Sequence, residues 1–160
     1  MLVSEFRKLS SYIFGGAAAI ITNVSLIVGL GSAGAGKGLI IGALLTIAIA
    51  DNITDSLGIH LHEEAEGGEE RLSLFAATLS FVSRLLVSLS FIAIVLVFSI
   101  RQAIPAAIVW GLLLLTLISY LITRSRKEPS VLEILKHLLV AVAAIALSRY
   151  AGSLIAQHFQ

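Results

Sequence analysis

Residues 38–60 read GLIIGALLTIAIADNITDSLGIH, an apolar run without proline that holds two aspartates, Asp51 and Asp55. A bilayer core is about 30 Å thick and takes about 20 apolar residues as helix. The run is therefore long enough to cross a membrane. In a soluble chain it would be a buried core helix, and two carboxylates would interrupt its apolar surface. The rest of the chain decides between the two readings.

Four further runs of the same kind flank it, at 12–30, 74–100, 103–122 and 131–156. Hydrophobic residues make up 58% of the 160 residues, charged residues only 13%, and the mean hydropathy is +0.99. Soluble domains average about 25% charged residues. A soluble protein of this size has too much surface to cover with so few charges, whereas a membrane protein turns its apolar side chains toward lipid. The expectation is an all-α integral membrane bundle of five transmembrane helices, forming a single transmembrane domain over 1–160 with the lipid bilayer as its main partner.

The breaks between runs support this division. Residues 31–38, GSAGAGKG, are too rich in glycine to favour helix and read as a turn. Residues 124–129, RSRKEP, form a charged turn whose Pro129 suits the first position of the next helix. Residues 60–73 form a short acidic connection containing Gly67 and Gly68, and Arg101-Gln102 marks the shortest turn unless Pro105 opens the fourth helix. Arg7 and Lys8 before the first apolar run resemble a signal peptide, but the run is longer than a signal core and four more follow.

Lys and Arg in short connections set orientation. Arg7, Lys8, Arg71, Arg124, Arg126 and Lys127 lie on one face, against Lys37 and Arg101 on the other. This predicts a cytoplasmic N-terminus, a cytoplasmic 60–73 connection and an outside or lumenal C-terminus. The net charge of +1 gives no broad field to attract nucleic acid. The absence of cysteine excludes disulfides and thiolate metal sites. Residues 31–37 fit G-x-x-x-x-G-K, but Gly38 stands where a phosphate-binding loop needs serine or threonine, and the run follows a membrane helix instead of a strand. No nucleophile–base set, HExxH pattern or dinucleotide fingerprint appears, so no enzyme or resident cofactor is expected, and no soluble partner is predictable from the sequence.

The charges inside the spans carry the functional reading. Asp51 and Asp55 are four residues apart and share a helix face. Intramembrane carboxylates usually face a bundle interior or a pathway. Two on one face can coordinate a hard cation or share a proton, and Asn52, Thr54 and Ser56 add polar oxygens nearby. The competing reading is a structural network in which an arginine neutralises an aspartate. Arg84, inside the third span, is the expected ion-pair partner, and Arg149, near the end of the fifth, can snorkel. Beyond the second span, His60, His62, Glu63, Glu64, Glu66, Glu69 and Glu70 form the densest polar cluster. On a continuous helix Glu63, Glu66 and Glu70 share a face, as do His62 and Glu66. Imidazole with carboxylate suits iron, zinc or manganese; the same cluster also reads as a solvated connection. The candidate metal set is thus Asp51, Asp55, His62, Glu63, Glu66 and Glu70. Gly15, Gly16, Gly42 and Gly58 give smooth faces for close packing, and Asn23 and Ser25 can bond across the bundle.

The order of spans resembles the vacuolar iron transporter family of iron and manganese transporters. The resemblance rests on FGGAAAIIT at 14–22 with Gly29, then on 42–49, and on ADNITDSLGIHL at 50–61. The family carries tyrosine-glycine-x-x-aspartate-glycine in its first helix. Its second carries alanine-aspartate-glycine-x-serine-methionine and then glutamate-tyrosine-leucine. Asp51 matches the second-helix aspartate, and Glu66 matches one of the acidic metal-binding positions. The first-helix aspartate falls at Ala18, the following glycine at Ala19, the methionine at Asp55 and the later glutamate at Ile59, so the chain resembles a divergent, short member. The resemblance implies a homodimer that moves a divalent cation, such as iron or manganese, along a path between subunits in exchange for protons. Replacing the soft methionine by Asp55 shifts the preference toward harder ions. The alternative is a membrane protein that keeps the transporter fold but moves another ion or serves a structural or interaction role.

Overall fold

A computed structural model describes residues 2–67, 69–125 and 131–159, with the side chains of 2–15, 122, 124 and 125 left aside. Among the described residues every regular element is helical. Helix α1 runs Leu2–Ser32, α2 Lys37–Thr46, α3 Asn52–Ala65, α4 Glu70–Val97, α5 Ile100–Ser125 and α6 Val131–Phe159. A π-helical turn, Ile47–Asp51, joins α2 to α3, so Lys37–Ala65 is one uninterrupted rod. Four helices are long and apolar enough to cross a membrane: Lys37–Ala65, Glu70–Val97, Ile100–Leu121 and Val131–Phe159. Helix α1 is apolar over Gly16–Ser32, the part whose side chains are described. Among the described residues the chain is thus an all-helical bundle whose long apolar helices suit a membrane.

The turns differ in detail from the sequence reading. The glycine-rich break is tighter than 31–38: α1 continues to Ser32, and Gly34, at φ 76°, makes the reversal. Such a φ strains any residue with a Cβ. The 60–73 connection contracts to the few residues between Ala65 and Glu70, with Gly67 at φ 75°. Most of the acidic cluster is therefore helix, and the chain reversal separates Glu70 from Glu63 and Glu66. The shortest turn falls at Phe98 and Ser99, ahead of Arg101. Ser99 accepts the N–H groups of Gln102 and Ala103 on its carbonyl, and its hydroxyl meets the Gln102 side chain at 2.8 Å. Serine with glutamine three residues later is a helix-start pairing, so α5 begins well before Pro105. The expected helix start at Pro129 and the basic residues Arg126 and Lys127 lie outside the described residues.

Helix α1 is the centre of the bundle and packs against α2, α4, α5 and α6. Its Ile20, Asn23, Val24, Ile27 and Val28 are fully buried. Lipid tails are as apolar as leucine, so packing and interhelical hydrogen bonds hold membrane helices together. Both occur here. Gly29 of α1 lies against Gly152 of α6 so closely that a Cβ on Gly152 would sit 2.1 Å from the Gly29 carbonyl oxygen. Gly111 of α5 admits Val24 in the same way. Asn23 donates through Nδ2 to the Ala19 carbonyl at 2.7 Å and to Ser88 Oγ of α4 at 3.0 Å. Gly42 and Gly58, expected at close contacts, have no atom within 4 Å of a built Cβ and face outward.

Candidate functional site: a buried arginine held by three oxygens

The site starts from the spacing of buried residues along the second apolar run. Ile40, Leu44, Ala48, Asn52 and Ser56 are all buried, at successive intervals of four. A four-residue step overshoots the 3.6-residue turn, so a straight α-helix would carry this line away from its neighbour. The π-turn is wider and restores the alignment. There the Asn52 N–H reaches back to the Ile47 carbonyl, while the Asn52 side-chain Nδ2 donates to the Ala48 carbonyl at 2.8 Å. That bond fixes the amide and turns Oδ1 toward α4. Single π-turns inside α-helices often mark functional positions.

Arg84 of α4 stands opposite and is only 2% exposed. Its Nε donates to Asn52 Oδ1 at 3.0 Å, and its Nη2 donates to Asp51 Oδ2 at 2.9 Å. The same Nη2 pairs with Asp55 Oδ2. Three oxygens from one helix turn thus converge on one guanidinium. The sequence reading paired Arg84 with one aspartate; the structure gives it both, and adds Asn52. The carboxylates are not sealed in: Asp51 and Asp55 are 41% and 44% exposed on the bundle's outer side. Ile49, Ile53 and Leu57, on the same rod, are exposed as well. With the three side chains ionised, the triad carries one net negative charge. Arg149 is exposed on α6.

The polar line continues toward the loop end of α3. His60 Nδ1 lies 2.6 Å from Ser73 Oγ, and Ser73 Oγ donates to the His60 carbonyl at 2.9 Å. His60 Nε2 is 4.0 Å from Glu64. Between this pair and Arg84, Ser56 and Ser80 are buried and their hydroxyls have no hydrogen-bond partner. At the other end the Asn23–Ser88 bond closes the line against α1.

The remaining candidates are separate from the triad. His62 pairs with Glu66 at 3.5 Å across one turn, at the exposed end of α3. Glu63 is half-buried on α3, and Glu70 opens α4. Among the described residues no three His, Asp or Glu side chains gather as a metal-holding group. The six-residue metal set therefore divides into an aspartate pair bound to Arg84, a histidine–glutamate pair, and two separate glutamates. In the sequence Asn52 stands only as a polar oxygen beside the aspartates. Its place in the line of buried residues at four-residue intervals was the signal that marks it. Ala18, where the first-helix aspartate of the resembled family would fall, is half-buried on α1 and brings no polar group. No protein-family profile, curated protein or solved structure matches the chain.

Proposed function

We propose that this chain is a small cation transporter whose cargo competes with Arg84 for Asp51, Asp55 and Asn52. The carrying observation is the convergence of three oxygens on a single buried cation in the middle of an apolar rod. A guanidinium is a cation that the protein supplies itself. When it withdraws, the oxygens around it are the hard, charged ligand set that manganese, magnesium or iron(II) prefers. The half-exposed carboxylates give an arriving ion access from outside the bundle, whereas Arg84 approaches from within. Protonation of an aspartate weakens its hold on either cation, which provides a coupling to protons.

The proposal includes five spans, with α1 as the first and the N-terminus cytoplasmic. The His62–Glu66 pair and Glu63 then stand at the cytoplasmic mouth. A carboxylate facing hydrocarbon is costly, so the outward side of Asp51 and Asp55 meets water or a second copy of the chain. We read it as the face of a homodimer, in keeping with the resemblance to the iron and manganese transporters.

A second reading has its own support. Apart from the π-turn that precedes it, α3 packs against α4, and the Arg84 bonds are a main tie between them. In that reading the triad is a structural clasp. Proteoliposomes distinguish the two. The purified protein is tested for uptake of manganese, iron(II), cobalt, zinc and magnesium under an imposed pH gradient. Uptake abolished in Asp51→Asn and Asp55→Asn supports transport. Folded protein that takes up none of these ions leaves the clasp.

A further inference from the structure

Helices α4 and α5 follow one another across the short turn at Phe98 and Ser99, yet they do not close along their length. A groove of about 680 Å³ lies between them. The small side chains of Ser90, Ala93 and Ala106 leave the space, and Phe98, Trp110 and Leu113, all exposed, flank it. The polar side chains that line it are already engaged. Trp110 Nε1 donates to Ser90 Oγ at 3.0 Å, and Ser90 Oγ donates to the Val87 carbonyl at 2.6 Å. A water molecule needs several polar partners to be held, and the groove offers none. Its occupant is therefore apolar.

Positive charge collects at the turn end of the groove. Pro105 and Ala106 line the groove on α5, and Arg101 and Gln102 stand one turn before them on the same face. Arg101 is exposed, with no partner among the described residues. Gln102 Oε1 accepts the Ser99 hydroxyl at 2.8 Å, which leaves the amide nitrogen to donate. Lys37 lies at the same end of the bundle, where its Nζ donates to the Leu96 carbonyl at 2.7 Å. No Asp or Glu occurs in 31–50, 71–127 or 134–160, so no acidic side chain stands at this end to neutralise these cations.

We propose that the α4–α5 groove holds an acyl chain of an anionic glycerophospholipid whose phosphate meets Arg101 and the Gln102 amide. Such a lipid has the two chemistries in the order in which the groove presents them, a negative head at the mouth and an apolar chain below it. The lengths agree. From Phe98 to Ser90, and from Pro105 to Leu113, the groove runs eight residues, about 12 Å of helix. One leaflet supplies about 15 Å of a hydrocarbon core of about 30 Å, so a chain that starts at the level of Arg101 stays within its own leaflet. Arginine suits the mouth, because its stem packs on apolar surface while its guanidinium bonds phosphate. A second copy seated here by two-fold symmetry would bring cation toward cation, which disfavours that occupant. The proposal takes the long apolar helices to lie in a bilayer and is independent of what the chain transports.

Trp110 is the only tryptophan of the chain and lines the groove, so its fluorescence reports the occupant without an added label. The protein is reconstituted in phosphatidylcholine vesicles with increasing fractions of acyl-brominated phosphatidylglycerol or acyl-brominated phosphatidylcholine, and bromine quenching of Trp110 is measured. One cation near a membrane surface contributes about 1 kcal/mol toward an anionic headgroup, so phosphatidylglycerol is expected to be preferred about fivefold. Arg101→Gln should bring the two lipids close to parity. Ala93→Phe fills the groove from an exposed position and should also remove the preference; gel filtration checks that each variant is folded. Equal quenching by the two lipids in the wild-type protein overturns the proposal, as does a preference that survives Arg101→Gln or Ala93→Phe. Quenching by neither lipid means that polypeptide covers the groove, and overturns it as well. If Ala93→Phe does not fold, the wild-type protein and Arg101→Gln decide.

Discussion

Arg84 is the residue on which the other polar groups of the site depend. Its removal leaves a hole beside two carboxylates and an amide oxygen; because water reaches both aspartates, the loss falls below the ~3–5 kcal/mol typical of a fully buried pair. Arg84→Ala is therefore expected to lower thermal stability in detergent. Adding Asp51→Asn and Asp55→Asn should recover a large part of the loss, because the stranded charges go with the arginine. If the triple variant is no more stable than Arg84→Ala alone, the ion pairs are not the source of the effect. Arg84 as an ion-pair partner was legible in the sequence as one of the ways an apolar run accommodates a carboxylate, beside an ion or proton path. That both aspartates share it was not. It depends on the α3–α4 register and on Asn52 turning its amide at the π-turn, and neither follows from four-residue spacing alone.

At the level of elements, small residues separate into those that touch a neighbour and those that do not. Gly152 and Gly29 let α6 cross α1 at backbone contact. Gly152→Leu would drive a side chain into the Gly29 carbonyl and is expected to cost about 1–3 kcal/mol or more, by overpacking. Gly42→Ala meets nothing within 4 Å and removes a helix-weakening glycine, so it should be neutral or stabilising by up to about 1 kcal/mol. Unfolding in mixed detergent measures both; equal effects would mean that the α1–α6 crossing is not a tight contact. In the sequence these glycines look alike. Hydropathy places helices but not the faces they turn to one another, which explains why Gly42 and Gly58 were expected at contacts they do not make. Helix ends show the same limit. Charge points to a turn at Arg101 and Gln102, whereas the Ser99–Gln102 pairing starts the helix at Ile100.

For the whole molecule, the count of spans depends on α1. Helix α1 runs Leu2–Ser32; over the residues whose side chains are described, Gly16–Ser32, it is apolar, and the apolar run of the sequence begins at residue 12. The packing of α1 against α4, α5 and α6 along buried positions from Ala19 to Val28 is the observation that supports counting it as a span in the proposed topology. With α1 as a span the number is odd, and the two ends of the chain face opposite sides. Without it the number is four, and they face the same side. The cysteine-free sequence allows a direct measurement: Ser4→Cys and Gln157→Cys, each alone, labelled in sealed, right-side-out cells or vesicles by an impermeant maleimide. Five spans with the proposed orientation predict that Gln157→Cys labels from outside and Ser4→Cys only after permeabilisation. Labelling of both from the same side would remove α1 from the membrane and, with it, the Asn23–Ser88 bond as an element of a transmembrane polar line.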